Sequence, residues 1–140
     1  MKRYSLLLIL STFFFQQALE ASTGIPKNLT AVAFQYYTPE DIKLLIPMQG
    51  ALCVLTKDEI SLVVMSGGDC LFTYPDNSQI FKCADQSIMI THPTGYKKEI
   101  DRYGTVSYLN QCGSKTLSAP KDIDFDTILK KICCSSFKKG

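Results

Sequence analysis

Between Ala51 and Asn110, short apolar runs recur every eight to twelve residues, each closed by residues that tolerate or fix turn backbone. The runs are 51–56, 60–65, 70–74, 79–83, 87–91, 96–100 and 105–110. Between them lie turn clusters such as Ser66-Gly67-Gly68-Asp69, Pro75-Asp76-Asn77-Ser78 and His92-Pro93-Thr94-Gly95. This texture predicts an antiparallel meander, twisted and partly closed, of about five to seven strands. The runs show no internal repeat, so a single domain is expected.

The flanks read differently. Residues 31–37 read as a strand. Thr38 then reads as a helix N-cap, with Pro39 at the first helical position and Asp41 three residues after the cap. Ile42, Leu45 and Ile46 supply an apolar face, and Pro47 ends the helix. After a loop at 113–122, Asp124 or Asp126 caps a second helix, with Ile128, Leu129 and Ile132 inward and Lys130 and Lys131 outward. The expected fold class is α+β: an antiparallel twisted sheet with one N-terminal and one C-terminal helix, held by disulfides.

Lys2 and Arg3 precede the apolar run Leu6 to Phe15, and Ala21-Ser22 offers a small-residue cleavage point. A spanning helix needs about 20 apolar residues, and this run has half that, so the segment reads as a secretory signal peptide rather than an anchor. The expected organisation is a signal peptide at 1–21, a flexible leader at 22–30 and one domain at 31–140, in an extracellular protein with no membrane association. Asn28-Leu29-Thr30 in the leader is a glycosylation sequon, with Asn28 the acceptor in a eukaryotic secretory route.

All six cysteines, Cys53, Cys70, Cys83, Cys112, Cys133 and Cys134, follow the expected cleavage point. An even number in a small exported chain reads as a disulfide framework, with the pairing left open. Adjacent Cys133 and Cys134 would clamp the C-terminal segment to two places in the body. A zinc site fits poorly, since its ligands come in close pairs and the gaps here are 16, 12, 28, 20 and 0 residues. Asp122, Asp124 and Asp126 alternate like a calcium loop, but Thr127 and Cys133 stand where glycine and a bidentate glutamate are needed. No metal and no cofactor is expected.

With 46% apolar and 20% charged residues, the chain is neither a disordered tail nor a coiled coil. Its net charge of +2 is small for a dedicated nucleic-acid binder, whose affinity comes largely from neutralised phosphates. Two constellations still offer chemistry. His92, Glu99 and Arg102 are the residue types needed to cleave RNA through its 2′-hydroxyl, with acid, base and a cation for the pentacovalent phosphate. Strand alternation opposes their convergence, since Glu99 and Arg102 lie three apart. Lys97, Lys98 and Arg102, interleaved with Tyr96, Tyr103 and Tyr108, would suit single-stranded RNA; Lys97, Lys98, Tyr103 and Tyr108 are the binding candidates.

Phe34-Gln35-Tyr36-Tyr37-Thr38-Pro39-Glu40-Asp41-Ile42, followed by a multi-stranded region and Asp101-Arg102-Tyr103-Gly104-Thr105-Val106 leading to Cys112-Gly113, resembles the small fungal ribonuclease fold. In particular it resembles the ribonuclease-like secreted effectors of powdery mildews. The resemblance covers residues 31–115. It implies a protein that has lost catalysis and acts on a host protein or RNA. The active enzymes use two catalytic histidines, whereas this chain has one. The expected function is therefore a secreted, non-catalytic, effector-like binding protein, with a secreted endoribonuclease or an inhibitor-like module as the alternatives.

Overall fold

The structure, a computed structural model, describes residues 27–137, with side chains over 28–132. The expected signal peptide, most of the leader and the side chains of Cys133 and Cys134 lie outside the described residues.

Leu29, Ala33 and Tyr37 are spaced by four, which places them along one helical face. Helix α1 spans Lys27–Tyr36, and all three residues are buried. It replaces the strand expected at 31–37 and draws 27–30 out of the leader. The helix expected after Thr38 is instead a single 3-10 turn, Pro39–Asp41, leading into strand β1, Ile42–Met48. Thr38 and Asp41 do meet, the hydroxyl donating to the carboxylate at 2.8 Å, but they close one turn only. Beyond it Leu44, Ile46 and Met48 alternate outward, so a period of two prevails over 3.6.

Strands β2 (Ala51–Thr56), β3 (Ser61–Met65), β4 (Cys70–Thr73), β5 (Gln79–Lys82), β6 (Ile88–Thr91), β7 (Lys97–Ile100), β8 (Val106–Leu109) and β9 (Lys115–Thr116) follow. All nine pair antiparallel in chain order. The expected five to seven strands fall short, because sequence patterning points to helix at β1 and to loop at β9. The sheet is open, with β1 and β9 as its edges, rather than partly closed. Pro47 sits on edge strand β1, where its missing N–H costs the ladder little and discourages further pairing. Helix α2, Phe125–Phe137, ends the described chain. Asp124 caps it, accepting from the Thr127 N–H at 3.2 Å.

Contrary to the sequence reading, the meander is a repeat. Every positive-φ residue among those described belongs to one series with a spacing of nine: Gly50, Glu59, Gly68, Asn77, Gln86, Gly95, Gly104 and Gly113. From Glu59 onward each occupies the same place in the same loop. Its N–H donates to the carbonyl three residues back, from Glu59 to Thr56 at 3.1 Å through Gly113 to Asn110 at 3.0 Å. The first residue of each loop also donates to the residue after the positive-φ position, as Thr56 does to Ile60 at 2.9 Å. This is the three-residue hairpin loop with a bulge, whose twist matches that of the strands. The last loop amide is held by a side chain in two interchangeable ways. Asp101 and Asn110 accept it from the loop's first position, and Asp76 and Asp85 accept it from the third.

Because each loop holds an odd number of residues, three, cross-strand partners in β2–β9 always share number parity. Leu62 faces Phe72, Phe72 faces Ile80, Ile80 faces Ile90, Ile90 faces Lys98 and Lys98 faces Tyr108. Even-numbered strand residues therefore point to one face and odd-numbered ones to the other. The even face carries the core. Leu52, Val54, Leu62, Val64, Cys70, Phe72, Ile80 and Ile90 are buried there beneath Leu29, Ala33 and Tyr37 of the α1 segment and Phe125, Ile128 and Ile132 of α2. Tyr36 seals one side, edge-on to Phe72 at 4.9 Å and accepting from Lys82 Nζ at 3.1 Å.

The expected disulfide framework is not present among the described residues: Cys53, Cys70, Cys83 and Cys112 are free thiols. Parity gives the reason. Cys53 points outward from β2, Cys70 inward from β4, and Cys83 and Cys112 occupy turns at opposite ends of the strands, so no pair has converging Cβ vectors. The hydrogen-bonded ladder and the two helices do the holding.

Candidate protein-interaction surface

The hairpin lattice disperses the residues singled out for RNA cleavage. His92 begins the β6–β7 turn and Arg102 lies in the β7–β8 turn, at the two ends of strand β7. Glu99 projects from the odd face of β7, opposite Met89 and Ser107. The His92 ring lies on the helix side, edge-on to Phe125 at 6.5 Å, and its Nδ1 is 2.7 Å from the Thr94 hydroxyl. Acid, base and cation are not brought together.

The basic and aromatic candidates are likewise divided. Lys97 points to the odd face. Lys98 points to the even face, 6.0 Å from the Tyr108 ring and 3.5 Å from the Asp126 carboxylate. Tyr108 itself packs 6.0 Å from Phe125, and Tyr103 stands 76% exposed on a turn beneath the Arg102 guanidinium. Asn28 is exposed on the first turn of α1, while Thr30 of its sequon is buried.

An open cleft of about 410 Å³ lies where α2 meets the turns, lined by Asp76, His92, Asp122, Asp124, Thr127 and Lys131. Its centre is a structural tether. Lys131 Nζ, expected from sequence to face outward, donates to Asp76 Oδ2 at 2.8 Å and Ser78 Oγ at 3.1 Å. Hydrogen bonds to Asp76, that of Lys131 first and those of Ser78 next, hold its carboxyl well below the usual carboxylate range. The lysine also lies 4.9 Å from the ring of Tyr74, whose phenol is pushed up chiefly by burial. No group of three potential metal ligands exists among the described residues.

The odd face is different in kind. Ile46, Cys53, Val63, Leu71, Phe81 and Met89 lie side by side across β1–β6. None of them joins the core, and both helices pack on the other side. Leu44, Ile46 and Met48 extend this apolar surface to the sheet edge at 50%, 45% and 51% exposure. Contiguous apolar surface left uncovered in a folded domain marks interaction sites. Sequence reasoning misses this face, although the signal is there. Runs such as Leu52-Cys53-Val54-Leu55 and Leu62-Val63-Val64 lack the polar alternation of a strand with one solvated face.

No family model and no curated protein matches the chain. Among solved structures it is similar to the TCP10 domain of Danio rerio CPAP in complex with a peptide of Danio rerio STIL. The identity is 23%, with 46% of this chain and 36% of that one covered and a TM-score of 0.44. It is also similar to the same domain in a second structure, at 16% identity over 59% of each chain with a TM-score of 0.31. In both, this chain spans less than two thirds of the other's length.

Proposed function

We propose that the chain is an exported, non-catalytic binding protein that takes a protein partner on the odd face of its sheet. The observation that carries this reading is the uncovered row Ile46–Cys53–Val63–Leu71–Phe81–Met89, which no described element shields. A sheet of nine strands at the usual spacing is roughly 38 Å across, enough for a long, shallow contact. The non-catalytic part is supported by the separation of His92, Glu99 and Arg102. The preference for protein over RNA is supported by the division of the basic and aromatic candidates between faces.

The test is a peptide-display selection on the full chain. Selected peptides should lose binding to Leu71→Asp and Phe81→Asp, outward positions whose variants keep the parent circular dichroism, and keep it with Tyr103→Ala. Peptides that bind all three variants like the parent chain would overturn the reading. In a fluorogenic RNA assay, the chain and Glu99→Gln should be equally inactive.

A further inference from the structure

The geometry points to a specific chemistry for the occupant of the odd face: an extended protein segment with an apolar stretch followed by carboxylates. This inference rests on the reading of that face as a protein-binding surface. The outward positions of β2–β6 carry no charge, and the only exposed charge in β1 is Lys43 at its bulge, paired with Glu59, whereas β7 and β9 place Lys97 and Lys115 on the two sides of Leu109 in a single row. Every cation that the ladder register assigns to that face lies at this end. Neither lysine has an ion-pair partner among the described residues, although Lys43, Lys98 and Lys131 all have one. Glu99 continues the apolar row itself, beside Met89, so the segment steps to the neighbouring row to reach the lysine pair, and with two lysines to one glutamate the end of the face is net positive. Lys97 and Lys115 are two strands apart, about 10 Å, and Leu71 to Lys115 spans five strand spacings, about 24 Å. An extended segment of nine residues reaches about 30 Å and covers both the apolar row and the lysine pair. Apolar contact supplies adhesion, and the lysines fix which end of the segment lies over β9.

The probe is fluorescein-labelled Leu-Ser-Leu-Ser-Leu-Ser-Asp-Asp-Asp, with a twin carrying three lysines in place of the aspartates, followed by anisotropy on the full chain. The acidic peptide should bind saturably and more tightly than its twin. K97E/K115E should weaken it by about fivefold and reverse the preference, since exposed ion pairs contribute modestly. Phe81→Asp should weaken both peptides. If both peptides bind the parent chain equally and both respond to Phe81→Asp, the charge inference fails while the surface reading stands. If the acidic peptide binds but ignores Phe81→Asp, or if no saturable binding occurs, both fail.

Discussion

Strands β2–β6 and strands β7–β9 share one hydrogen-bonded lattice and one loop geometry, yet they differ in what lies on top. On the even face the first group presents a row of Val54, Leu62, Phe72, Ile80 and Ile90, all sealed under the helices. The same row continues through Lys98, Tyr108 and Thr116, where α2 reaches only far enough to touch Lys98 and Tyr108. Backbone form is thus dictated by the loops, and the depth of burial by the helices. The two can be uncoupled because each hairpin satisfies its own backbone groups before any side chain packs.

The largest test of this contrast compares two aromatics in one row. Phe72→Ala should cost about 3–5 kcal/mol in urea unfolding, the usual penalty for emptying a sealed aromatic site. Tyr108→Ala should cost about 1 kcal/mol, because that side chain is only partly buried to begin with. Equal losses would mean that the open end is as tightly packed as the covered one.

Loop substitutions come next, and they should act alike in both groups. Gly95 has φ +102°, and a Cβ there would stand 3.2 Å from Gln111 Cγ, so Gly95→Ala should destabilise by about 1–2 kcal/mol. Gln86 holds the equivalent position at φ +77° with a side chain that the left-handed region disfavours. Gln86→Gly should therefore stabilise by up to about 1 kcal/mol, measured as a rise in Tm. A loss of stability instead would show that the Gln86 side chain supports its turn.

Thiol labelling sharpens the comparison without altering stability. Cys112, exposed on the β8–β9 turn, should react first. Cys70, buried in β4 with its thiol pushed up by desolvation, should react last and only on opening.

The smallest effect concerns pH. Asp76 is held below its ordinary range by Lys131 and Ser78, so its contribution is fully present above the unfolded carboxylate value, about 4, and is lost as pH falls through the lower folded value. Asp76→Asn should flatten acid unfolding below about pH 4. Its cost at pH 7 should be under about 1 kcal/mol, since the pair is partly solvated.

Much of the sheet was legible because apolar runs between turn formers have few other ways to fold. Residues 51–56 and 79–82 are strands within the predicted runs, and Asp124 caps α2 as its position suggests. In the segment 27–48 the two periods exchange places relative to the sequence reading: Leu29, Ala33 and Tyr37 mark a helix, and Leu44, Ile46 and Met48 mark a strand. The repeat is hidden for two physical reasons. Its constant position accepts Glu59, Asn77 and Gln86 as well as glycine, and side-chain facing recurs only after two units, so hydrophobicity does not repeat every nine. His92, Glu99 and Arg102 look like neighbours because they lie close along the chain, but a strand carries its two ends apart. A cysteine count carries no geometry, which is why it misjudges the bonds of Cys53, Cys70, Cys83 and Cys112.

The odd repeat carries an evolutionary corollary. Inserting or losing one nine-residue unit would turn every later strand inside out, exchanging greasy and wet surfaces downstream of the event. Gain or loss of two units together leaves both surfaces intact and merely lengthens or shortens the ribbon. Viable length variants of this protein should accordingly differ in steps of twice nine, always by an even number of rungs.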